Sequence, residues 1–135
     1  MFGKKDNSSI KTLIAHGTRI DGDMKFEDGL RVDGEVYGMI QAGSERGSLL
    51  VISEGAVVEG GVKADHIIIN GTVKGPVEAV EVLELQAKAR IEGDVQYRAL
   101  EMHQGATILG QLRPMATAAD VQDDKPLFRL AAKRA

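Results

Sequence analysis

Apolar and polar residues alternate along this chain in very short runs. In RIEGDVQ (90–96), Ile91 and Val95 alternate with charged neighbours, the period of two of a half-buried strand. Between them, on the same parity, sits Gly93, which has no side chain to bury and weakens a strand interior. The interruption recurs in IDGDM (20–24), VDGEV (32–36), VEGGV (58–62), INGTV (69–73), IEGDV (91–95) and ILGQL (108–112). The glycines Gly22, Gly34, Gly60, Gly71, Gly93 and Gly110 are separated by 12, 26, 11, 22 and 17 residues. These gaps are roughly multiples of five to six, with extra residues where AGSERGS (42–48) intervenes. Further short apolar runs, HIII (66–69), VEVLEL (80–85) and ALEMH (99–103), lie between the copies. Parity switches within VEVLEL, and a corner between Val82 and Leu83 would reconcile its two halves.

Short strands of equal length, each followed by a bend, predict an all-β solenoid of stacked rungs. No 3.6-residue apolar period survives the glycines, which excludes helices over residues 13–112. An antiparallel sandwich is the rival, and the D-G and N-G pairs would supply its hairpin turns. Apolar positions stand one residue from each pair, however, and leave arms too short for a hairpin. The six glycines are therefore expected at corners whose tight interior angle has no room for a Cβ, with the preceding Asp, Asn or Glu facing water. Three faces of about six residues give roughly 17–18 residues per rung and about six rungs over residues 13–112. At about 4.8 Å per stacked strand the rod is roughly 28 Å long. The chain divides into a flexible tail (1–12), a β-helical core (13–112) and a second flexible tail (113–135).

Composition narrows the function. The 135 residues suit one domain. They are 43% hydrophobic but only 4% aromatic, so the core must be aliphatic. The absence of cysteine excludes disulfides and thiolate metal sites and suits a reducing compartment. The longest apolar run, Leu49 to Ile52, is far short of a bilayer span, and no signal-peptide pattern opens the chain, so a cytoplasmic location is expected. The net charge of −3 is unevenly spread. Residues 1–12 carry +2 (Lys4, Lys5 and Lys11 against Asp6), and residues 113–135 also carry +2 (five Lys or Arg against Asp120, Asp123 and Asp124). The body between them therefore carries −7, which does not attract a phosphate backbone, and no nucleic-acid partner is expected for the core.

Catalytic signatures are lacking. His16, His66 and His103 stand far apart without metal-ligand spacing and are expected as exposed or edge residues. Asp21, Asp33, Glu59 and Glu92 each precede a motif glycine, so a stacked carboxylate row is conceivable. The calcium-binding G-G-x-G-x-D repeat is not matched, and solvated turn acids are the reading adopted. G-x-S-x-G, P-loop and H-E-x-x-H motifs do not occur. No catalytic, cofactor-binding or metal-binding residue is assigned. One alternative is a hexapeptide-repeat acyltransferase, whose strict six-residue period the gaps of 11, 17 and 22 break. The other is a non-polymerising β-helical adaptor.

The glycine-punctuated core from about Leu13 to Leu112, the two short polar tails and the opening MFGKK resemble the bactofilins, bacterial polymer-forming cytoskeletal proteins. The resemblance implies a right-handed, three-faced parallel β-helix that joins end to end into filaments without nucleotide. It also implies a membrane-targeting start, carried here by Met1, Phe2, Lys4 and Lys5, and a place at the inner face of the cytoplasmic membrane organising cell-shape or cell-envelope partners.

The residues lead to self-association separately, because uncapped solenoid ends expose apolar side chains and unpaired strand edges. The flanks KKDNSSIK and RPMATAAD have neither the length nor the periodicity of a capping helix. The polymer interface is accordingly assigned to Leu13 and Ile14 at one end and to Ile108, Leu109 and Leu112 at the other. The LFRLAAKRA segment (127–135) joins an apolar patch to basic residues and offers itself either as a partner-binding peptide or as a solvated tail.

Overall fold

The computed structural model describes residues 10–43 and 47–115, and within them the chain forms parallel strands coiled into six rungs. Rung 1 holds β1 (Thr12–Ile14), β2 (Arg19–Asp21) and β3 (Met24–Phe26), one strand per face. Rung 2 holds β4 (Gly29–Val32), β5 (Glu35–Tyr37) and β6 (Ile40–Ala42). Rung 3 begins with β7 (Leu49–Ile52) and β8 (Val57–Glu59). From there β9 (Val62–Ile69) runs from the third face of one rung onto the first face of the next. After β10 (Thr72–Lys74), β11 (Val77–Leu85) makes the same passage, and after β12 (Arg90–Glu92) so does β13 (Val95–Met102). β14 (Thr107–Leu109) and β15 (Leu112–Pro114) complete rung 6.

The expected three faces therefore belong to two sheets. The second face is a six-stranded sheet of its own, in the order β14-β12-β10-β8-β5-β2. The first and third faces share a nine-stranded sheet, because β9, β11 and β13 are continuous around the corner between them.

Register places like residues over like. The inward columns of the first face run Leu30, Leu50, Ile67, Leu83 and Val32, Ile52, Ile69, Leu85, all fully buried. The second face contributes Val36, Val58, Val73 and Ile91, and the third Ile40, Val62, Val77 and Val95. Branched side chains stacked this way fill the pleated interior with little freedom left to lose. A second column on the third face is small in the middle, Ala42, Ala64 and Ala79, and ends in the aromatic Phe26 and Tyr97. Apart from Phe26 the buried core is aliphatic, as the composition leads one to expect.

The corner expected between Val82 and Leu83 stands two residues earlier, at Val80 and Glu81, where β11 passes from the third face to the first. The register shift lies between Ala79 and Val82, where β11 carries one residue more than its neighbours, and Leu83 and Leu85 both point inward. A bulge at Val80 and Glu81 thus restores the inward parity.

Two corner types account for the glycines. Between the first and second faces, rungs 1, 3, 5 and 6 make four-residue turns closed by hydrogen bonds such as Thr18 N to Ala15 O at 3.0 Å and Ala56 N to Ser53 O at 3.0 Å. Rungs 2 and 4 have only two residues there, Asp33-Gly34 and Asn70-Gly71. A Cβ on Gly71 would strike the Ser53 and Ala56 carbonyls of the turn beneath it. Between the second and third faces every rung has one ladder glycine: Gly22, Gly38, Gly60, Gly75, Gly93 and Gly110. The crowding arises along the stacking direction, not from the interior angle of each corner. Gly93, at φ 149°, lies against the backbone of Gly75, whereas Gly22 in rung 1 has nothing within 4 Å of an added Cβ.

Candidate functional site: the end rungs

A parallel coil has two ends that differ from its interior only in lacking a neighbour. Among the described residues, β1, β2 and β3 pair on one side alone, with β4, β5 and β6. At the other end β14 pairs only with β12 and β15 only with β13. Each of these edges offers backbone groups in the geometry that another strand would use.

The side chains of these layers follow from register. In rung 1, Ile14, Ile20, Met24 and Phe26 continue the inward columns of Val32, Val36, Ile40 and Ala42. Ile14 and Phe26 are nearly covered, and Ile20 and Met24 are half-buried. In rung 6, Leu100, Met102, Ile108 and Leu112 continue the columns of Leu83, Leu85, Ile91 and Val95. Here Met102 is 46% and Leu112 36% exposed, so this end shows more apolar surface than rung 1 does.

Of the residues assigned to the interface from sequence, Ile14, Ile108 and Leu112 lie in these end layers. Leu13 and Leu109 belong to the end rungs but stand on outward columns, in register with Arg31 and Glu92, and are 55% and 50% exposed on the flanks. Ile20 and Met24 in IDGDM and Leu100 and Met102 in ALEMH stand in runs read from the sequence but were not assigned to the interface, and neither was Phe26. Met1, Phe2, Lys4, Lys5 and the segment 127–135 lie outside the described residues.

The acids before the motif glycines do not form a carboxylate row. Asp21, Glu59 and Glu92 share an outward column with Tyr37 and Lys74, and Lys74 stands between the two glutamates, its Nζ 3.8 Å from Glu59. Asp21, Asp33 and Glu92 each accept from the arginine two residues earlier at 2.9–3.0 Å. Asp33 lies at the other corner, where the Ser53 hydroxyl and then Arg31 hold its carboxyl below the usual range. The acids that follow two glycines serve the backbone: Asp23 accepts from Met39 N at 2.9 Å and Asp94 from Gln111 N at 3.1 Å.

The histidines remain apart, on rungs 1, 4 and 6. His103 does meet two carboxylates, with Nε2 at 3.4 Å from Glu84 and 3.5 Å from Glu101, the ligand atoms of the three lying within 4.8 Å. Register stacks Glu84 on Glu101, and the His103 ring lies against both. Two open-sided grooves, of about 150 Å³ beside His16 and Asp33 and about 340 Å³ beside Arg31 and Ser53, mark the corners. No helix among the described residues is long and apolar enough to cross a membrane.

Known proteins with this pattern agree with the geometry. The family described as bactofilin, polymer-forming cytoskeletal, matches residues 12–113. Bactofilin BacO of Myxococcus xanthus (strain DK1622) is 29% identical over 111 residues, covering 82% of this chain and 85% of that protein. Bactofilin BacP of the same organism is 27% identical over 123 residues, covering 91% of this chain but 46% of BacP. The solid-state NMR structure of the cytoskeletal bactofilin BacA superposes with a TM-score of 0.66 at 27% identity, covering 78% of this chain and 96% of that one.

Proposed function

The chain belongs to the bactofilin family of polymer-forming cytoskeletal proteins, and from that premise we propose that it assembles end to end into filaments without nucleotide. The observation that carries this reading is the pair of apolar end layers on a coil whose interior columns run through from rung to rung. Stacking one copy on another would extend those columns and pair the open strand edges, the same contact that already holds rung to rung. Completing the burial of Leu100, Met102, Ile108 and Leu112 contributes on the order of 1 kcal/mol for each half-exposed side chain. The family's cytoskeletal description supports a structural role over the acyltransferase reading.

We also propose that filaments lie on the cytoplasmic face of the membrane through Met1, Phe2, Lys4 and Lys5, and scaffold cell-shape or cell-envelope partners there. The support is chemical: an apolar side chain beside two lysines suits an anionic bilayer surface.

Electron microscopy in nucleotide-free buffer tests the assembly. Ile20→Arg and Leu112→Arg each place an unpaired charge in an end layer, at a cost of several kcal/mol per joint. Both should reduce filaments to short oligomers with circular dichroism still β-rich. Gln96→Arg, on an exposed flank, should leave them long. Full-length filaments from both end variants would overturn the reading.

A further inference from the structure

The outer surfaces of the three faces differ in kind. Along the third face the central outward column reads Lys25, Gln41, Lys63, Glu78, Gln96 and Arg113, polar throughout. The second face carries Arg19, Asp21, Glu35, Glu59, Arg90 and Glu92 among its outward residues. The first face instead presents Leu49, Val51, Ile68 and Val82 around His66, all partly exposed, with Arg31, paired to Asp33, separating Val51 from Leu13 at one end and Ala99 following Val82 at the other. This is an apolar strip in rungs 3–5 of an otherwise charged body, and Glu84 and Glu101 continue one of its columns.

We propose that this strip is covered by the chain's own residues Leu127, Phe128 and Leu130. The last described residue lies close to that face. In every completed rung the third face leads onto the first, and Met115 N still donates to Tyr97 O at 2.6 Å, following the track of β13 to the point where it turns onto the first face. Residues 116–126 then span up to about 36 Å if extended. Rungs 3–5 lie within about 5–15 Å of rung 6 along the stack, so reach is ample. Charge complements the fit: Arg129, Lys133 and Arg134 surround the apolar residues of the segment, and Glu84 and Glu101 border the strip.

The absence of cysteine makes the test clean. His66→Cys stands on the strip's own outward face, and Ala131→Cys adjoins the segment's apolar residues, so neither substitution removes an apolar partner. Under mild oxidation the full-length double variant should form an intrachain disulfide, seen as a faster-migrating monomer on a non-reducing gel. It should form several-fold faster than in the pair Thr72→Cys with Ala131→Cys, which reports collisions with the second face. Adding Phe128→Asp should erase that advantage. Equal rates for the two pairs, or a product that is chiefly an interchain dimer, would overturn the proposal. The readout is a bond within one chain and does not depend on filaments forming.

Discussion

A methyl group added to Gly93 meets two obstacles, and Gly22 separates them. Both glycines have φ in the range that disfavours side chains, 149° and 134°, which costs about 1–3 kcal/mol for a non-glycine residue. Only Gly93 also lies against a neighbouring rung, so overpacking adds about 1–3 kcal/mol there. Gly93→Ala should therefore destabilise more than Gly22→Ala by about 1–3 kcal/mol in urea denaturation in a Leu112→Arg background, chosen to limit assembly. Equal losses would mean that φ alone demands the glycine. The sequence pattern exposed four ladder glycines through the apolar-x-Gly-x-apolar spacing. It also held Gly38 and Gly75, in VYGMI and VKGPV, which went unnoticed because no acid or amide marks them. Gly34 and Gly71 share the spacing yet occupy the other corner, since spacing along the chain does not distinguish which corner is being turned.

Corners of unequal length pose a problem for the element that spans them, because stacked rungs then present backbone donors without a backbone acceptor opposite. Asn70 solves it between rungs 4 and 5: its Oδ1 accepts from Lys88 N at 2.9 Å, bridging a two-residue corner to a four-residue turn. Asn70→Ala should lower stability by about 0.5–1.5 kcal/mol in chemical denaturation, and an unchanged midpoint would show that water replaces the amide. Such bridges are invisible in sequence, as their partners lie 18 residues apart. Strand parity was legible where several residues alternate and failed where strands are three residues long. Leu13 and Ile14 are adjacent and both apolar, and only the register with Arg31 and Val32 reveals that Leu13 faces outward. Leu13→Arg should accordingly shorten filaments less than Ile20→Arg does, by electron microscopy. The corner expected between Val82 and Leu83 lies two residues earlier, as a bulge at Val80 and Glu81, because a parity break in the pattern does not say which residue is extra.

For the whole molecule, assembly and membrane binding should be coupled. Burial of Phe2 contributes roughly 1.5–3 kcal/mol, and Lys4 and Lys5 about 1 kcal/mol each near anionic lipid. On the proposed anchor one copy would therefore bind in about the millimolar range, whereas a filament would present many copies and gain orders of magnitude through avidity. Wild-type protein should sediment with anionic vesicles, while Phe2→Ser and Leu112→Arg should both stay in solution. Equal pelleting of all three would remove the anchor. At this scale the rod was the most legible feature: six rungs and an aliphatic core follow from glycine spacing and composition. Which layer of each end meets a neighbour was not legible, because it depends on three-dimensional register. The most direct test of the end-to-end claim is X-ray diffraction from aligned filaments. If copies stack through their end rungs, strands lie across the filament, giving a reflection at about 4.8 Å along its axis and a subunit repeat at roughly 28 Å or twice that. A 4.8 Å reflection perpendicular to the filament axis would place the coils side by side and contradict the account.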